Sequence, residues 1–214
     1  MNRRLFLAGI GSGTLAVTAG CLDTVLGDAT DFEAAPATVI DPALEEAGYN
    51  HIETRPDVER REFGVAGLSR TVSVTNWIGE YYRGLELPII GRVEAAVFAI
   101  LATPRVDVLG RSFNPVGEMS DREIAELIQE QYDEISIGAE TGRRTVQTLG
   151  IETTVTSFEA SAQLLPVGGT AIDVIFDITR FTNGEDFLVA IGIYPAAVPA
   201  ESGRVTTMLE GLGH

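Results

Sequence analysis

The chain has 214 residues, a formal net charge of -16 at pH 7 and one cysteine. That charge leaves no basic patch for phosphates to follow, which excludes a nucleic-acid partner, and one Cys cannot close an internal disulfide. All fifteen basic residues are arginine, although a chain this long ordinarily holds about a dozen lysines.

Acidity without lysine is the composition of a protein suited to concentrated salt. Near 1 M the Debye length is about 3 Å and carboxylate repulsion is screened, whereas dilute buffer lets the same charge oppose compaction. An acidic exported protein with unusual codon use is the simpler alternative.

In chain order, "RRLFLAGIGSGTLAVTAGC" comes first. A short cationic head carries Arg3 and Arg4, and an apolar run, Leu5 to Gly20, ends at Cys21. The run is short and glycine-diluted for a membrane span, which needs about 20 strongly apolar residues, and it has the three-part plan of a secretory signal. Arg3 and Arg4 before Leu5, Phe6 and Leu7 resemble a twin-arginine export signal. Thr18-Ala19-Gly20-Cys21 resembles a lipobox, with Thr18 where leucine is usual. The reading is a signal over 1–21 with Cys21 as the lipidation site, a tether over 22–30, and one domain over 31–214. A core helix or an uncleaved anchor is the alternative for the apolar run.

"IDPALEEAGY" at 40–49 predicts a short helix with Asp41 as N-cap, Pro42 in the first turn and Gly48 at the end. "VERREF" alternates, "GVAG" turns, and "RTVSVTNWIGEYY" alternates again, a strand pair from Val58 to Tyr82. "GLELPIIG" reads as an apolar loop. "VEAAVFAILATP" at 93–104 reads as a central strand covered on both faces, or else a buried helix. "SDREIAELIQEQYDEI" opens with the capping-box spacing of Ser120 and Glu123 and carries a stripe of Ile124, Leu127, Ile128, Tyr132 and Ile135.

Two hairpins follow. The first joins Arg143–Leu149 to Glu152–Leu164 through Gly150-Ile151. The second centres on Asn183-Gly184, pairing Thr182 with Glu185 and setting Ile178 opposite Val189, Phe176 opposite Ile191 and Val174 opposite Ile193. Its other face carries Asp173, Ile175, Asp177, Ala190, Gly192 and Tyr194. Val205, Met208, Leu209 and Leu212 then have helical spacing. Strands dominate and mostly form hairpins, so the fold class is α+β: a twisted, mainly antiparallel β-sheet with helices packed on it.

Signals for chemistry are sparse. His214 is the last residue and expected to fray, which leaves His51, near Glu45, Glu46 and Glu53, as either an acid–base partner or a surface histidine. Asp173 and Asp177 share a strand face but lie about 13 Å apart, too far for one metal; they are expected to be solvated or paired with arginine. In "NWIGEYYRGLELPIIG", Trp77 and Tyr81 face one way with Gly79 between them. With Tyr82 they are the candidate ligand or partner face, the alternative being core packing.

The stretches "RRLFLAG", "VTNWIGEYY", "AAVFAILATP", "FNPVGEMSDREIAELIQEQY", "LGIETTVTSFEA" and "AIGIYP" together resemble an uncharacterised family of haloarchaeal lipoproteins with a domain of unknown function. The element order is similar to the PsbP-like fold. The resemblance implies export and a lipid anchor on the outer face of the cytoplasmic membrane, but no activity. The expected function is a non-catalytic accessory or partner-binding lipoprotein, with no catalytic residue, cofactor or metal. The second reading is a small-ligand binder using Trp77, Tyr81 and Tyr82, and the third is a hydrolase-type enzyme.

Overall fold

The computed structural model describes residues 29–65, 68–87, 91–108, 111–112, 115–131, 134–164 and 170–214. Arg3, Arg4 and Cys21, and with them the export and lipidation readings, lie outside the described residues, as does Tyr132 of the predicted stripe.

The fold is the α+β class expected: a mainly antiparallel sheet with one parallel pair and helices packed against it. Its strands are β1 (Ala29–Glu33), β3 (Asn50–Val65), β4 (Leu68–Leu87), β5 (Gly91–Pro104), β8 (Ile135–Thr148), β9 (Ile151–Leu164), β10 (Thr170–Asn183) and β11 (Asp186–Pro195). Short pairs complete the list: β2 (Thr38–Val39) with β12 (Leu212–Gly213), and β6 (Asp107–Val108) with β7 (Arg111–Ser112). The sheet runs β4-β5-β11-β10-β9-β8. Strand β3 takes one edge of β4 from Leu68 to Tyr82. The other edge is shared, by β5 along residues 77–87 and by β1, in parallel, along residues 71–75.

Among the described residues three helices cover the sheet: α1 (Asp41–Ala47), α2 (Asp121–Gln131) and α3 (Glu201–Glu210). On one face α3 lies on the sheet and α1 lies on α3. Ala43, Ala47, Val205, Met208 and Leu209 pack there with Tyr81, Phe98, Ile100, Val155 and Leu188. Gly192 of β11 lets α3 come close, since a Cβ there would sit 2.9 Å from Val205. On the other face Ile124 and Ala125 of α2 meet Phe158, Val174, Phe176, Ile178 and Val189. "VEAAVFAILATP" is therefore a strand, not a helix, with Ala96, Phe98, Ile100 and Ala102 all fully buried.

Several local expectations need correction. Ile40, not Asp41, is the N-cap of α1, while Gly48 does end it in the left-handed region at φ 71. "GLEL" of the predicted apolar loop continues β4 to Leu87. On α2 the stripe does not extend to Leu127, which is 40% exposed; Ala125 is buried in its place, and Ile135 already belongs to β8.

Both hairpin turns slide by one residue. The β8–β9 turn is Leu149-Gly150, both at positive φ (50 and 74), with Thr148 opposite Ile151. The β10–β11 turn is Gly184-Glu185, with Asn183 opposite Asp186. Ile178 therefore faces Ile191, Phe176 faces Ile193 and Val174 faces Pro195. A one-residue slide of the turn moves cross-strand partners by two, so every side chain keeps its predicted face.

Candidate binding cleft and the buried ion pairs

The predicted aromatic face splits. Trp77 and Tyr81 do share a side of β4, but the gap at Gly79 is filled: a Cβ there would meet Ile100 at 3.1 Å and the Ala37 carbonyl at 3.3 Å. Tyr81 is 1% exposed, its hydroxyl oxygen accepts the Val39 N–H at 3.0 Å, and its ring lies 6.0 Å from Phe98. Trp77 is half-buried at the rim of that core and donates to Glu33 Oε1 at 3.3 Å. Tyr82 alternates to the opposite side and is not brought to their face.

His51 is exposed; its Nε2 pairs with Thr54 Oγ1 at 2.9 Å, and its ring lies 5.1 Å from Tyr81. His214 does not fray. Its side chain is 6% exposed, Nδ1 lies 3.0 Å from Asn183 Nδ2, and Nε2 lies 3.1 Å from Asp186 Oδ2 but off the line of a hydrogen bond. The β2–β12 pairing, Leu212 with Val39, holds this end of the chain against the body.

The two aspartates of β10 part ways. Asp173 is exposed, whereas Asp177 is 1% exposed and fully engaged. Arg144 Nη2 lies 2.6 Å from its Oδ2, Ser157 donates at 2.6 Å and Tyr194 at 3.0 Å. Burial first, and the Asp177 charge second, push the Tyr194 phenol up to about 12. A second buried carboxylate, Glu201 at the start of α3, sits between Arg83 and Arg204 with the Tyr49 hydroxyl at 3.5 Å. Burial, then Glu201, hold the Tyr49 phenol well above its ordinary value. Both clusters lie under α3 and fasten it to the sheet.

The cleft is on the other face, beyond the N-terminal end of α2. Ser120 and Glu123 form the predicted capping box: the Ser120 N–H and hydroxyl both reach Glu123 Oε2 at 2.7 Å, and the Glu123 N–H returns to Ser120 Oγ at 3.3 Å. Those bonds, the backbone N–H first, hold the Glu123 carboxyl below its ordinary value. The cap fixes where α2 starts and so where Asp121 projects. Arg180 of β10 spans the gap to α2, lying 3.4 Å from Asp121 and donating to the Gly117 carbonyl at 3.0 Å. Thr156 donates to Asp121 at 2.6 Å. Gly117, in the 3-10 turn Pro115–Gly117, lies flat on Phe187, whose ring a Cβ at that position would overlap.

Between this turn and the ends of β9, β10 and β11 is a half-open space of about 430 Å³, with Glu152, Thr154, Arg180, Thr182 and Phe187 on its wall. Carboxylate, guanidinium and hydroxyl groups converge there, which suits a small polar ligand offering both donors and acceptors. No nucleophile held by a base lines it among the described residues. The sequence reading missed this cleft because its parts come from segments 35 and 63 residues apart, Asp121 to Thr156 and Gly117 to Arg180. Only the capping box gave a local signal.

The fold and the cleft define a class: a three-layer α+β domain with one face sealed by buried ion pairs and the other notched. The chain belongs to the family described as Domain of unknown function (DUF6517), which matches residues 36–213. No curated protein matches the chain.

Proposed function

We propose that the protein is a lipid-anchored, extracytoplasmic lipoprotein exported through the twin-arginine signal, and that its domain is a non-catalytic binding module. The anchor reading is supported by Arg3, Arg4 and the apolar run closing on Cys21. The absence of lysine and the charge of -16 support a salt-rich setting. The resemblance of the sequence to haloarchaeal lipoproteins, and of its element order to the PsbP-like fold, belongs to this proposal.

The observation that carries the binding role is the cleft of about 430 Å³ with Asp121 and Arg180 across its neck. We assign recognition to this cleft ahead of the Trp77–Tyr81 face, because Tyr81 is 1% exposed and only Trp77 of that pair meets solvent. The expected ligand is a small molecule rich in hydroxyl and carboxylate groups.

Two measurements test the two halves. Fractionation of a salt-loving expression host should release the Cys21→Ser chain from membranes; a variant that stays bound with an intact N-terminus would sink the lipid anchor. Saturation-transfer NMR against a set of small polyols and hydroxy acids should find binders lost in Thr154→Trp, which fills the cleft from an exposed position. Binders that survive that change would put the site elsewhere.

A further inference from the structure

Strands β9 and β10 part before either of them ends. Their ladder stops with Thr156 opposite Ile178, yet β9 begins back at Ile151 and β10 runs on to Asn183. Over that stretch β9 keeps β8 on its other side and β10 keeps β11. The sheet is forked there, and the cleft runs into the fork. Its wall includes Thr153, Phe181 and Leu188, and the last two belong to the core on the α3 face, although the cleft opens on the α2 face.

The turns fix which backbone groups face the fork. Thr148 and Ile151 close the two-residue turn Leu149-Gly150 and exchange their backbone bonds. Bonding sides alternate along an antiparallel strand. Ile151, Thr153 and Val155 therefore bond toward β8, while Glu152 and Thr154 turn their N–H and C=O groups into the fork. The same alternation from Asn183 and Asp186 gives Thr179 and Phe181 to β11 and leaves Arg180 and Thr182 to the fork. The Thr153 hydroxyl agrees with this, donating to the Arg180 carbonyl at 3.5 Å from the narrow end. Glu152, Thr154, Arg180 and Thr182 thus each offer the cleft a side chain and a backbone edge, with no strand opposite that edge among the described residues.

From this arrangement we infer that the fork is the hydroxyl-binding part of the cleft and that its ligand is a polyhydroxy carboxylic acid, with hydroxyls bridging the parted backbone edges and the carboxylate on Arg180. The inference rests on the binding role proposed above for the cleft. Backbone groups that leave a ladder need partners, and each edge alternates donors with acceptors. A hydroxyl serves both, since it donates once and accepts twice. Arg180 engages Asp121 through Nε and the Gly117 carbonyl through Nη1, which leaves Nη2 for a ligand's carboxylate. Asp121 does not depend on Arg180 alone. Thr156 donates to it at 2.6 Å, and it sits in the first turn of α2, where the helix dipole favours negative charge.

The test is amide hydrogen exchange followed by NMR on the full chain in molar KCl, with sodium gluconate as the probe. At saturation the amides of Glu152, Thr154, Arg180 and Thr182 should slow by roughly tenfold or more, as for groups newly bonded. Those of Thr153 and Phe181, already bonded to β8 and β11, should not change. Hexanoate keeps the carboxylate and loses the hydroxyls, and sorbitol keeps the hydroxyls and loses the carboxylate. Each should bind roughly tenfold or more weakly than gluconate, because a site built for a polar group rejects the analogue without it. Arg180→Gln should erase the advantage of gluconate over sorbitol. Gluconate bound with the four amides unchanged, or hexanoate bound as tightly, would overturn the inference. So would no binding of gluconate. Failure of the cleft reading is separate: it shows as binders from the wider set of polyols and hydroxy acids that survive Thr154→Trp.

Discussion

Each face of the sheet carries an aspartate–arginine pair, and the two pairs sit in opposite surroundings. On the α3 face Asp177 is 1% exposed and meets Arg144, Ser157 and Tyr194. On the α2 face Asp121 has 23% of its side chain exposed and shares Arg180 across an open cleft. The same two residue types thus do different work. A carboxylate out of water must keep every partner, because losing one leaves a buried charge unmatched. A pair at a cleft mouth contributes little to folding and is free to exchange partners with a ligand. The contrast separates the face that holds the fold from the face proposed for binding.

The largest change expected is on the sealed face. Tyr81→Ala should cost about 3–5 kcal/mol, as truncation of a buried aromatic does. Trp77→Ala, at the half-buried rim, should cost about 1–2 kcal/mol from lost burial. Paired denaturant titrations separate them; a Trp77 loss as large as that of Tyr81 would make Trp77 full core and end its candidacy as a partner face.

A pH titration of stability sharpens the comparison at both ends. Tyr194 stays protonated in the folded protein up to about 12, whereas in the unfolded chain it ionises near the ordinary tyrosine value of 10.0. Its contribution is whole below 10.0 and is lost as pH rises from there toward 12. Tyr49 acts in the same direction. Glu123, held below its ordinary value, acts in the opposite sense: its share is present above the unfolded value and fades as pH falls through the lowered one. Melting curves should therefore drop on the alkaline side through the sealed face and more gently on the acid side through the α2 cap. Tyr194→Phe should flatten the alkaline drop.

Smaller effects come from the open face. Ser120→Ala removes the cap of α2 and should cost about 1 kcal/mol. Across the whole surface, the melting temperature should rise from dilute buffer to molar KCl, since a charge of -16 is screened there. An unchanged melting temperature would remove the salt-adapted reading of the composition.

Which parts were legible in the sequence follows from how far apart the cooperating residues lie. The capping box, the end of α1 at Gly48 and the central strand over 93–104 each depend on neighbours within one element, and each stands in the structure where the sequence pattern puts it. The hairpin faces survived a one-residue error in turn placement because side chains alternate with period two. Strand β1 left no trace: "ATDFE" is five residues with two acids, and it becomes a strand only because β5 stops at Trp77 and leaves an edge of β4 unpaired. The sequence leaves Asp177 solvated or Arg-paired, and its arginine, 33 residues away, comes only with the fold. Glu201 reads as an ordinary acidic first turn until Arg83, 118 residues distant, arrives beside it. His214 illustrates the opposite error, a terminal residue expected to fray and instead fastened beside Asn183 and Asp186.

The division between a holding face and a binding face is tested most directly by urea titration of Arg144→Ala beside Arg180→Ala in molar KCl. Salt of that strength screens exposed charges and leaves buried ones largely unscreened. Arg144→Ala should lose about 3–5 kcal/mol, because it strands the Asp177 carboxylate in the core. Arg180→Ala should lose under about 1 kcal/mol. Equal losses, or a larger loss for Arg180→Ala, would contradict the division.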